Sequence, residues 1–237
     1  MTEFNPASYR ILAVDDDALI LELIEESLLR SGFQVATVSS GEAGLAWMER
    51  EGMPDLAVVD INMPFGMDGL EFCAKVHTFS DLPIIMLTAV EDETTIIQAI
   101  ETCAEDYVTK PFIPGELIAR TRRILRRIGV FPFPLESLTR IDDYLSIDFA
   151  GCRIIANGQP ISLTPTETKL LYLLVRSTDK PLNSDYLLRR LWAQDTSHDE
   201  RLRVYIHRLR SKFNTSAEQP KYIQSVRGIG YVFKPKT

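Results

Sequence analysis

Several residue types and segments that mark special classes of protein are scarce or missing in this sequence. Only three cysteines (Cys73, Cys103, Cys152) and three histidines occur, the cysteines lie far apart, and none forms a CxxC pair. This pattern excludes a disulfide framework and a structural zinc site as the organising element. The first residues show no basic segment followed by a long apolar stretch, and the longest apolar runs, such as residues 84–87, are too short for a membrane span. We therefore expect a cytoplasmic protein with reduced thiols.

The composition is that of a globular protein, and its charge is unevenly divided. Of 237 residues, 45% are apolar and 25% are charged, which excludes disordered, collagen-like and coiled-coil proteins and leaves room for two domains. Residues 1–128 hold 22 acidic and 10 basic residues, a net charge of −12, whereas the remainder hold 11 acidic and 16 basic residues, a net charge of +5. The basic half is therefore expected to bind nucleic acid.

The first half shows the alternation of a doubly wound α/β domain. Short β-rich apolar runs alternate with segments whose apolar residues recur at helical spacing, such as Leu19, Leu23 and Leu28. Five such units predict a five-stranded parallel sheet, with strands at residues 10–14, 33–38, 56–59, 84–87 and 107–108.

The second half begins after a break that a helix cannot cross. Residues 129–134 read GVFPFP, and their two prolines end the arginine-rich helix before them. Beyond it, residues 144–163 predict short strands with an Asn157-Gly158 hairpin turn, because both residues tolerate positive φ. Helices are predicted at 165–177, 184–192 and 199–213, and a last hairpin at 227–230. We predict a first domain at 1–128, a linker at 129–139 and an α+β winged helix-turn-helix domain at 140–237.

Polar side chains follow the predicted parallel strands at their carboxyl ends, where such sheets bind ligands. The first strand ends in Asp15-Asp16, the third in Asp60 and the fourth in Thr88, and Lys110 follows the fifth. Converging carboxylates suit Mg²⁺, and a carboxylate can accept a phosphoryl group while a metal and a lysine neutralise its charge. Singly, a DDD run is more often a helix N-cap, a role that fits the third of these aspartates. Because these carboxylates, the threonine and the lysine all follow predicted strand ends, together they predict an aspartyl-phosphate site.

These segments resemble the receiver domain of two-component response regulators, which has a flavodoxin-like fold. The resemblance rests on ILAVDDD, PDLAVVDINMP followed by MDG, IIMLTA and DYVTKPF, and covers about residues 9–128. It implies that Asp60 accepts a phosphoryl group from a sensor histidine kinase. It also implies that Asp16 and Asp60 bind Mg²⁺ directly and that Asp15 acts through water.

The same resemblance implies roles for four further residues. The Asn62 backbone carbonyl would be another metal ligand, Lys110 would contact the phosphoryl group, and Thr88 with Tyr107 would form the switch pair. The glycine of MDG lies nine positions after the phosphoacceptor, where eight are usual, so PFGMDG carries a one-residue insertion. We expect the acidic residues, which precede the insertion, to be unaffected by it.

Residues 199–213, DERLRVYIHRLRSKF, present two faces at helical spacing. The apolar face predicts burial of Leu202, Ile206, Leu209 and Phe213. The second stripe consists of Arg201, Val204, Tyr205, Arg208 and Lys212. A solvated charged face is the ordinary interpretation of such a stripe. The helix before it and the hairpin after it favour a recognition helix in the DNA major groove.

This half resembles the OmpR/PhoB-type winged-helix effector domain over about residues 140–235. The matching segments are LTPTETKLLYLL, LLRRLW, VYIHRLRSK and IQSVRGIGYVF. The resemblance implies that Val204 and Arg208 reach bases, that Tyr205 and neighbouring basic groups hold phosphates, and that Arg227 enters the minor groove. We expect Lys212 among the phosphate contacts. The helix starts with Glu-Arg where Arg-Thr is common, so the preferred base sequence does not carry over.

Members of this subfamily dimerise in the active state through the last two receiver helices and the strand between them. On that face Ile97, Ile100 and Ala119 match the apolar patch, and Asp106 with Arg120 matches a cross-subunit ion pair. A second ion pair of the face lacks its basic partner, because an isoleucine occupies that position. The resemblance therefore implies a homodimer when the protein is phosphorylated.

These observations predict a phosphorylation-switched, sequence-specific DNA-binding transcriptional regulator of a two-component system, and not an enzyme. Two alternatives stay open. The first is an atypical regulator that binds DNA without phosphorylation. The second is a phosphatase of the haloacid dehalogenase type, which needs a second carboxylate two residues after the nucleophile, where Asp60 is followed by Ile61 and Asn62.

Overall fold

The computed structural model describes residues 4–89, 104–133, 135–192, 199–213 and 222–235. The chain forms two compact units, Met1–His77 with Leu82–Val130, and Thr78–Asp81 with Phe131–Thr237. The division before Phe131 falls within the predicted linker. Among the described residues, no helix combines the length and the apolar character needed to cross a bilayer.

A five-stranded parallel sheet forms the centre of the first unit, as predicted. The strands lie in the order β2-β1-β3-β4-β5. Four residues of the interior strand β1 and all five of the central strand β3 are buried, which explains why these strands are apolar runs and do not alternate. The strands are β1 (Arg10–Val14), β2 (Gln34–Val38), β3 (Leu56–Asp60), β4 (Ile84–Ala89) and β5 (Asp106–Lys110).

Four α-helices of this unit are described after a short 3₁₀ helix (Pro6–Ser8), and local signals in the sequence set their ends. Asp17, the third aspartate of the DDD run, caps the first helix, because its carboxylate accepts the Leu19 N–H at 2.8 Å. Ser40 caps the second helix in the same way, and Gly129 ends the last one at a φ of 73°. The helices are α1 (Ala18–Arg30), α2 (Gly41–Glu51), α3 (Gly69–Phe79) and α4 (Pro114–Ile128).

The second unit has the predicted winged-helix organisation. A four-stranded antiparallel sheet comes first, and Asn157 and Gly158, both at positive φ, form the predicted two-residue turn between its last two strands. Three helices and a three-stranded sheet in the order β10-β12-β11 follow. The strands are β6 (Thr139–Arg140), β7 (Leu145–Asp148), β8 (Arg153–Ala156), β9 (Gln159–Ser162), β10 (Leu182–Asn183), β11 (Ile223–Val226) and β12 (Gly230–Phe233). The helices are α5 (Pro165–Arg176), α6 (Ser184–Leu191) and α7 (Asp199–Phe213).

An aromatic side chain from the predicted linker belongs to the core of the second unit. Phe131 is buried, and its ring centroid lies 6.0 Å from that of Phe149 and 5.4 Å from that of Tyr172. The Arg176 guanidinium lies 5.8 Å from the Phe131 ring centroid. The chain is therefore anchored to this unit well before its first strand.

We expect Phe131→Ala to lower the free energy of unfolding of the second unit by about 3 kcal/mol, because it leaves a cavity among buried rings. Phe133→Ala is the matched control, since Phe133 lies two residues on and is only partly buried. Urea unfolding followed by far-UV circular dichroism measures both. Equal losses in the two variants would contradict the anchoring role.

Candidate functional site

Three carboxylates meet at the carboxyl edge of the parallel sheet. Asp15 follows β1 directly and is fully buried, Asp60 is the last residue of β3 and is 4% exposed, and Asp16 is exposed to solvent. Each offers one oxygen within 4.8 Å of the others. This convergence follows from the topology, because β1 and β3 are hydrogen-bonded neighbours.

Lys110, the last residue of β5, reaches back to this cluster. Its Nζ lies 2.7 Å from Asp15 Oδ2 and 2.8 Å from Asp60 Oδ1. Three formal negative charges and one positive charge leave an excess of two negative charges, which a divalent cation would neutralise. Opposite ligands of octahedral Mg²⁺ lie about 4 Å apart, close to the span of these oxygens. The donor set, carboxylates open to water on one side, fits that ion.

Burial and pairing shift the ionisation of two of these groups. Burial raises the pKa of Asp60, and the hydrogen bond from Lys110 opposes this without cancelling it. Burial acts to lower the pKa of Lys110, but its bonds to Asp15 and Asp60 outweigh burial and raise that pKa. The lysine therefore stays a cation beside the carboxylate, where it can neutralise charge on an incoming anionic group.

The strand register places the remaining predicted site residues around Asp60. Asp60 is paired with Leu87, the residue before Thr88, and Lys110 is paired with Ala89. Thr88 is buried, and its Oγ1 donates to the Ala89 carbonyl at 3.1 Å. On β5, Tyr107 is partly buried, and Asn62, two residues after the end of β3, is exposed. The structure therefore brings Asp15 and Asp60 into contact with Lys110 and places an oxygen of Asp16 within 4.8 Å of theirs. Thr88 lies one residue beyond the strand partner of Asp60.

The glycine of MDG has a steric role at this site. A Cβ on Gly69 would lie 2.1 Å from the Asp60 carbonyl oxygen and 2.9 Å from Ile61 Cα. The Gly69 N–H also donates to the Ile61 carbonyl at 3.1 Å. Helix α3 can therefore begin against the backbone of Asp60 only if this position lacks a side chain.

The predicted recognition helix, α7, buries the predicted face. Leu202, Ile206, Leu209 and Phe213 are each at most 3% exposed. On the other face Arg201, Val204 and Arg208 are exposed, whereas Tyr205 is partly buried. The Tyr205 ring lies between Trp192, at 5.4 Å between centroids, and the Arg208 guanidinium, at 5.3 Å. These contacts position Arg208 on the exposed face.

Lys212 has a partner inside the domain that the stripe pattern did not predict. Its Nζ lies 2.7 Å from Glu167 Oε2 and 2.8 Å from the Ser162 carbonyl. Glu167 is 2% exposed and forms a capping box with Thr164 at the start of α5. In the structure Lys212 therefore joins the end of α7 to the start of α5, and its expected phosphate contact stays a prediction.

The wing is formed by the β11–β12 hairpin, with Arg227 exposed at its tip and Gly228 at a φ of 75°. Arg210 of α7 ties the helix to this hairpin, because it donates to the Ile223 carbonyl at 2.9 Å and to Ser225 Oγ at 3.0 Å. Between α7, the wing and the start of α6 lies a groove of about 440 Å³, which Arg203 lines. Arg210 therefore fixes the wing against α7, and Arg203 lies at the groove between them.

Comparison with known proteins identifies both units. Residues 11–122 match the response regulator receiver domain family, and residues 158–233 match the family described as transcriptional regulatory protein, C terminal. The chain is 38% identical over 227 residues to the DNA-binding response regulator MtrA of Mycobacterium leprae (strain TN), covering 95% of this chain and 98% of that protein. This chain is a DNA-binding response regulator of the OmpR/PhoB type. The regulator controls transcription through phosphorylation-dependent DNA binding.

Two further relatives span nearly the whole regulator. The transcriptional regulatory protein AfsQ1 of Streptomyces coelicolor is 39% identical over 226 residues, covering 95% of this chain and 98% of that protein. The crystal structure of the response regulator DrrB, a Thermotoga maritima OmpR/PhoB homolog, is 30% identical, with a TM-score of 0.46, and covers 95% of this chain and 99% of that one.

The residues expected at a dimer face of the regulator are described only in part. Ile97 and Ile100 lie outside the described residues, and Ala119 is exposed on α4. Within the chain, Arg120 Nη1 lies 2.9 Å from Asp106 Oδ1, while Arg120 Nη2 contacts Glu116 at 2.7 Å. In this structure the predicted cross-subunit pair is thus an intrachain pair, and its role between subunits stays a prediction.

Sequence reasoning missed two arginines and one ion pair of the regulator. Arg203 falls between the two helical faces, so periodicity assigned it to neither, and its place at the groove beside the wing is visible only in the structure. Arg210 and the Lys212–Glu167 pair depend on partners 13 and 45 positions away. A local pattern carries no information about such distant partners.

We expect Lys212→Ala to lower the free energy of unfolding by about 3 kcal/mol at pH 7, because it leaves a buried carboxylate without its counter-charge. Burial acts to raise the pKa of Glu167, but the bonds from Lys212 and the Thr164 N–H outweigh it, so the pKa is lowered. Because the pKa of Glu167 is lower in the folded state, its ionisation stabilises the fold at pH values above the unfolded-state pKa of about 4.3. This contribution is lost as the pH falls through the folded-state pKa. The difference between wild type and variant should therefore shrink in acid.

Urea unfolding at pH 7 and pH 4 measures this difference, with Arg208→Ala as the control on the exposed face of the same helix. We expect the control to change stability by less than about 0.5 kcal/mol. Unchanged stability of Lys212→Ala, together with a weaker salt dependence on random DNA, would instead support the phosphate contact.

Proposed function

We propose that Asp60 is the phosphoacceptor of this regulator and that a sensor histidine kinase is its donor. The observation that carries the proposal is the contact of Lys110 with both Asp60 and Asp15 beside an exposed third carboxylate. An oxygen of Asp60 attacks phosphorus, the bond from phosphorus to the donor breaks, and the donor leaves with the electron pair. Lys110 stays cationic and neutralises charge on the transferred group. Donor, regulator and DNA are proposed to share the cytoplasm.

Mg²⁺ fits the excess negative charge of the pocket. Asp16 and Asp60 would hold it directly, Asp15 through water, and the Asn62 backbone carbonyl would add a ligand. When bound, the ion supplies charge neutralisation and alignment of the phosphoryl oxygens. Thr88, buried next to the acceptor, is proposed to bond the phosphoryl group, with Tyr107 as its switch partner.

The proposed chemistry stops at the aspartyl phosphate, so we propose no enzymatic turnover of an outside substrate. A phosphatase of the haloacid dehalogenase type would need a carboxylate at the position of Asn62. A regulator independent of phosphorylation would not require the Lys110 contact with Asp60 and Asp15. Phosphorylation is proposed to favour a homodimer through the face that carries Asp106, Ala119 and Arg120.

We expect Asp60→Asn to abolish Mg²⁺-dependent phosphorylation by acetyl phosphate, because an amide cannot act as the attacking carboxylate. Phosphate incorporation is measured by intact-protein mass spectrometry, and oligomeric mass by light scattering on the same samples. The wild-type protein should gain one phosphoryl group, and its oligomeric mass should increase. Asp55→Asn is a control at the start of the same strand, although its carboxylate accepts the Arg10 N–H and some stability is lost. Full labelling of Asp60→Asn would place the acceptor elsewhere.

For DNA recognition we propose that Val204 and Arg208 contact base edges, that Arg201 and Tyr205 contact phosphates, and that Arg227 enters the minor groove. The proposal rests on the exposure of the three basic side chains on the helix face and wing tip. Base contacts discriminate between sequences, whereas phosphate contacts strengthen binding to all of them.

We expect Arg208→Ala to cost about 1–3 kcal/mol on the specific site and to relax preference at one base pair. Arg227→Ala should reduce preference for flanking A·T pairs, because arginine favours a narrow minor groove. A salt-resolved binding series on specific and scrambled duplexes measures both. Equal loss on the two duplexes for Arg208→Ala would assign this arginine to the phosphate backbone.

A further inference from the structure

The loop that carries the one-residue insertion leads from the phosphoacceptor to α3. Ile61 and Met63, at its start, are buried, and the Gly69 N–H at its end donates to the Ile61 carbonyl. Asp68 begins α3 by accepting the Glu71 N–H at 2.8 Å. The two ends of the segment 61–68 are thus held close together, and the extra residue lengthens the part between them.

Glu42, the second residue of α2, holds this loop near its C-terminal end. Its Oε1 accepts a hydrogen bond from the Met67 N–H at 2.7 Å. Hydrogen bonds from its own N–H and from Met67 lower the pKa of Glu42, so the side chain is a carboxylate at neutral pH. A charged acceptor forms the stronger kind of hydrogen bond.

Two glycines allow the loop to approach α2 at this contact. A Cβ on Gly66 would lie 2.7 Å from Glu42 Oε1, and Gly66 has a φ of 90°, which favours glycine. A Cβ on Gly41 would lie 3.0 Å from Met67 Cγ. The missing side chains at these two positions therefore let the loop backbone lie close to the Glu42 carboxylate.

We propose that Glu42 is a positioning residue for phosphoryl transfer, whose carboxylate fixes the inserted loop and, through it, the backbone at Asn62. An added loop residue adds backbone conformations, and each must be lost when a carbonyl is held in one place. Asn62 lies five residues before Met67 in the same segment. The hydrogen bond from Met67 to Glu42 removes this freedom before a metal binds. The inference rests on the proposed function of the pocket.

The test compares Mg²⁺ binding by calorimetry with phosphorylation by acetyl phosphate in full-length variants. Glu42→Ala should weaken Mg²⁺ affinity about tenfold, as for other groups that orient a ligand. It should slow phosphorylation at low Mg²⁺ and leave the rate near wild type at saturating Mg²⁺. Glu42→Gln retains an acceptor oxygen and should recover most of the affinity. Glu49→Ala, on the exposed surface of the same helix, is the control and should bind Mg²⁺ as wild type does.

A second comparison tests the shared contact. Gly66→Ala should also weaken Mg²⁺ binding, and it should weaken it less in the Glu42→Ala background, where the clashing oxygen is gone. Additive losses would overturn the inference, as would a lower melting temperature of Glu42→Ala with Mg²⁺ affinity within twofold of wild type. Wild type that binds Mg²⁺ but takes no phosphate would contradict the proposed function instead, and the Mg²⁺ titrations would still decide the role of Glu42.

Discussion

The excess of negative charge at the carboxyl edge of the parallel sheet is the constraint on which the receiver depends. Asp15 and Asp60 are taken out of water by the strands that carry them, and a single lysine from the end of β5 compensates them. A buried carboxylate that lacks a partner is costly, so the cluster requires cations. The fold thus keeps a pocket whose charge suits the metal ion and the phosphoryl group of the proposed function.

Around this pocket, backbone geometry matters as much as charge. Gly69 lets α3 start against the backbone of Asp60, and Gly66 leaves room for the Glu42 carboxylate. Gly66 lies in the segment that differs in length from the family pattern, and Gly69 lies at its end. Contacts with α2 hold this segment, and the three carboxylates lie together beside it.

Most of the fold could be predicted from the sequence because its signals are local. The apolar runs of β1 and β3, the cap formed by Asp17 and the Asn157-Gly158 turn each depend on a few adjacent residues. The two-residue strands β6 and β10 could not be predicted, since so short a segment has no periodicity. The acidic cluster followed from topology, because the order of parallel strands determines which strand ends meet.

Contacts between distant residues could not be predicted in the same way. Helical spacing on α7 correctly identified the buried face, yet it grouped the partly buried Tyr205 and Lys212 with the exposed residues. Helical spacing gives the direction of a side chain but not the length it spans, and Lys212 reaches a carboxylate on another helix. The hydrogen bond from Met67 to Glu42 likewise joins residues 25 positions apart.

The internal contacts of α7 have a consequence for the thermodynamics of DNA binding. A cation that contacts a phosphate displaces condensed counterions, and this release gives binding its salt dependence. Lys212 is already neutralised by Glu167, and Arg210 is directed to a carbonyl and a hydroxyl of β11. Neither displaces counterions while these contacts persist. While these contacts persist, we expect α7 to release fewer ions on binding DNA than its number of basic residues suggests.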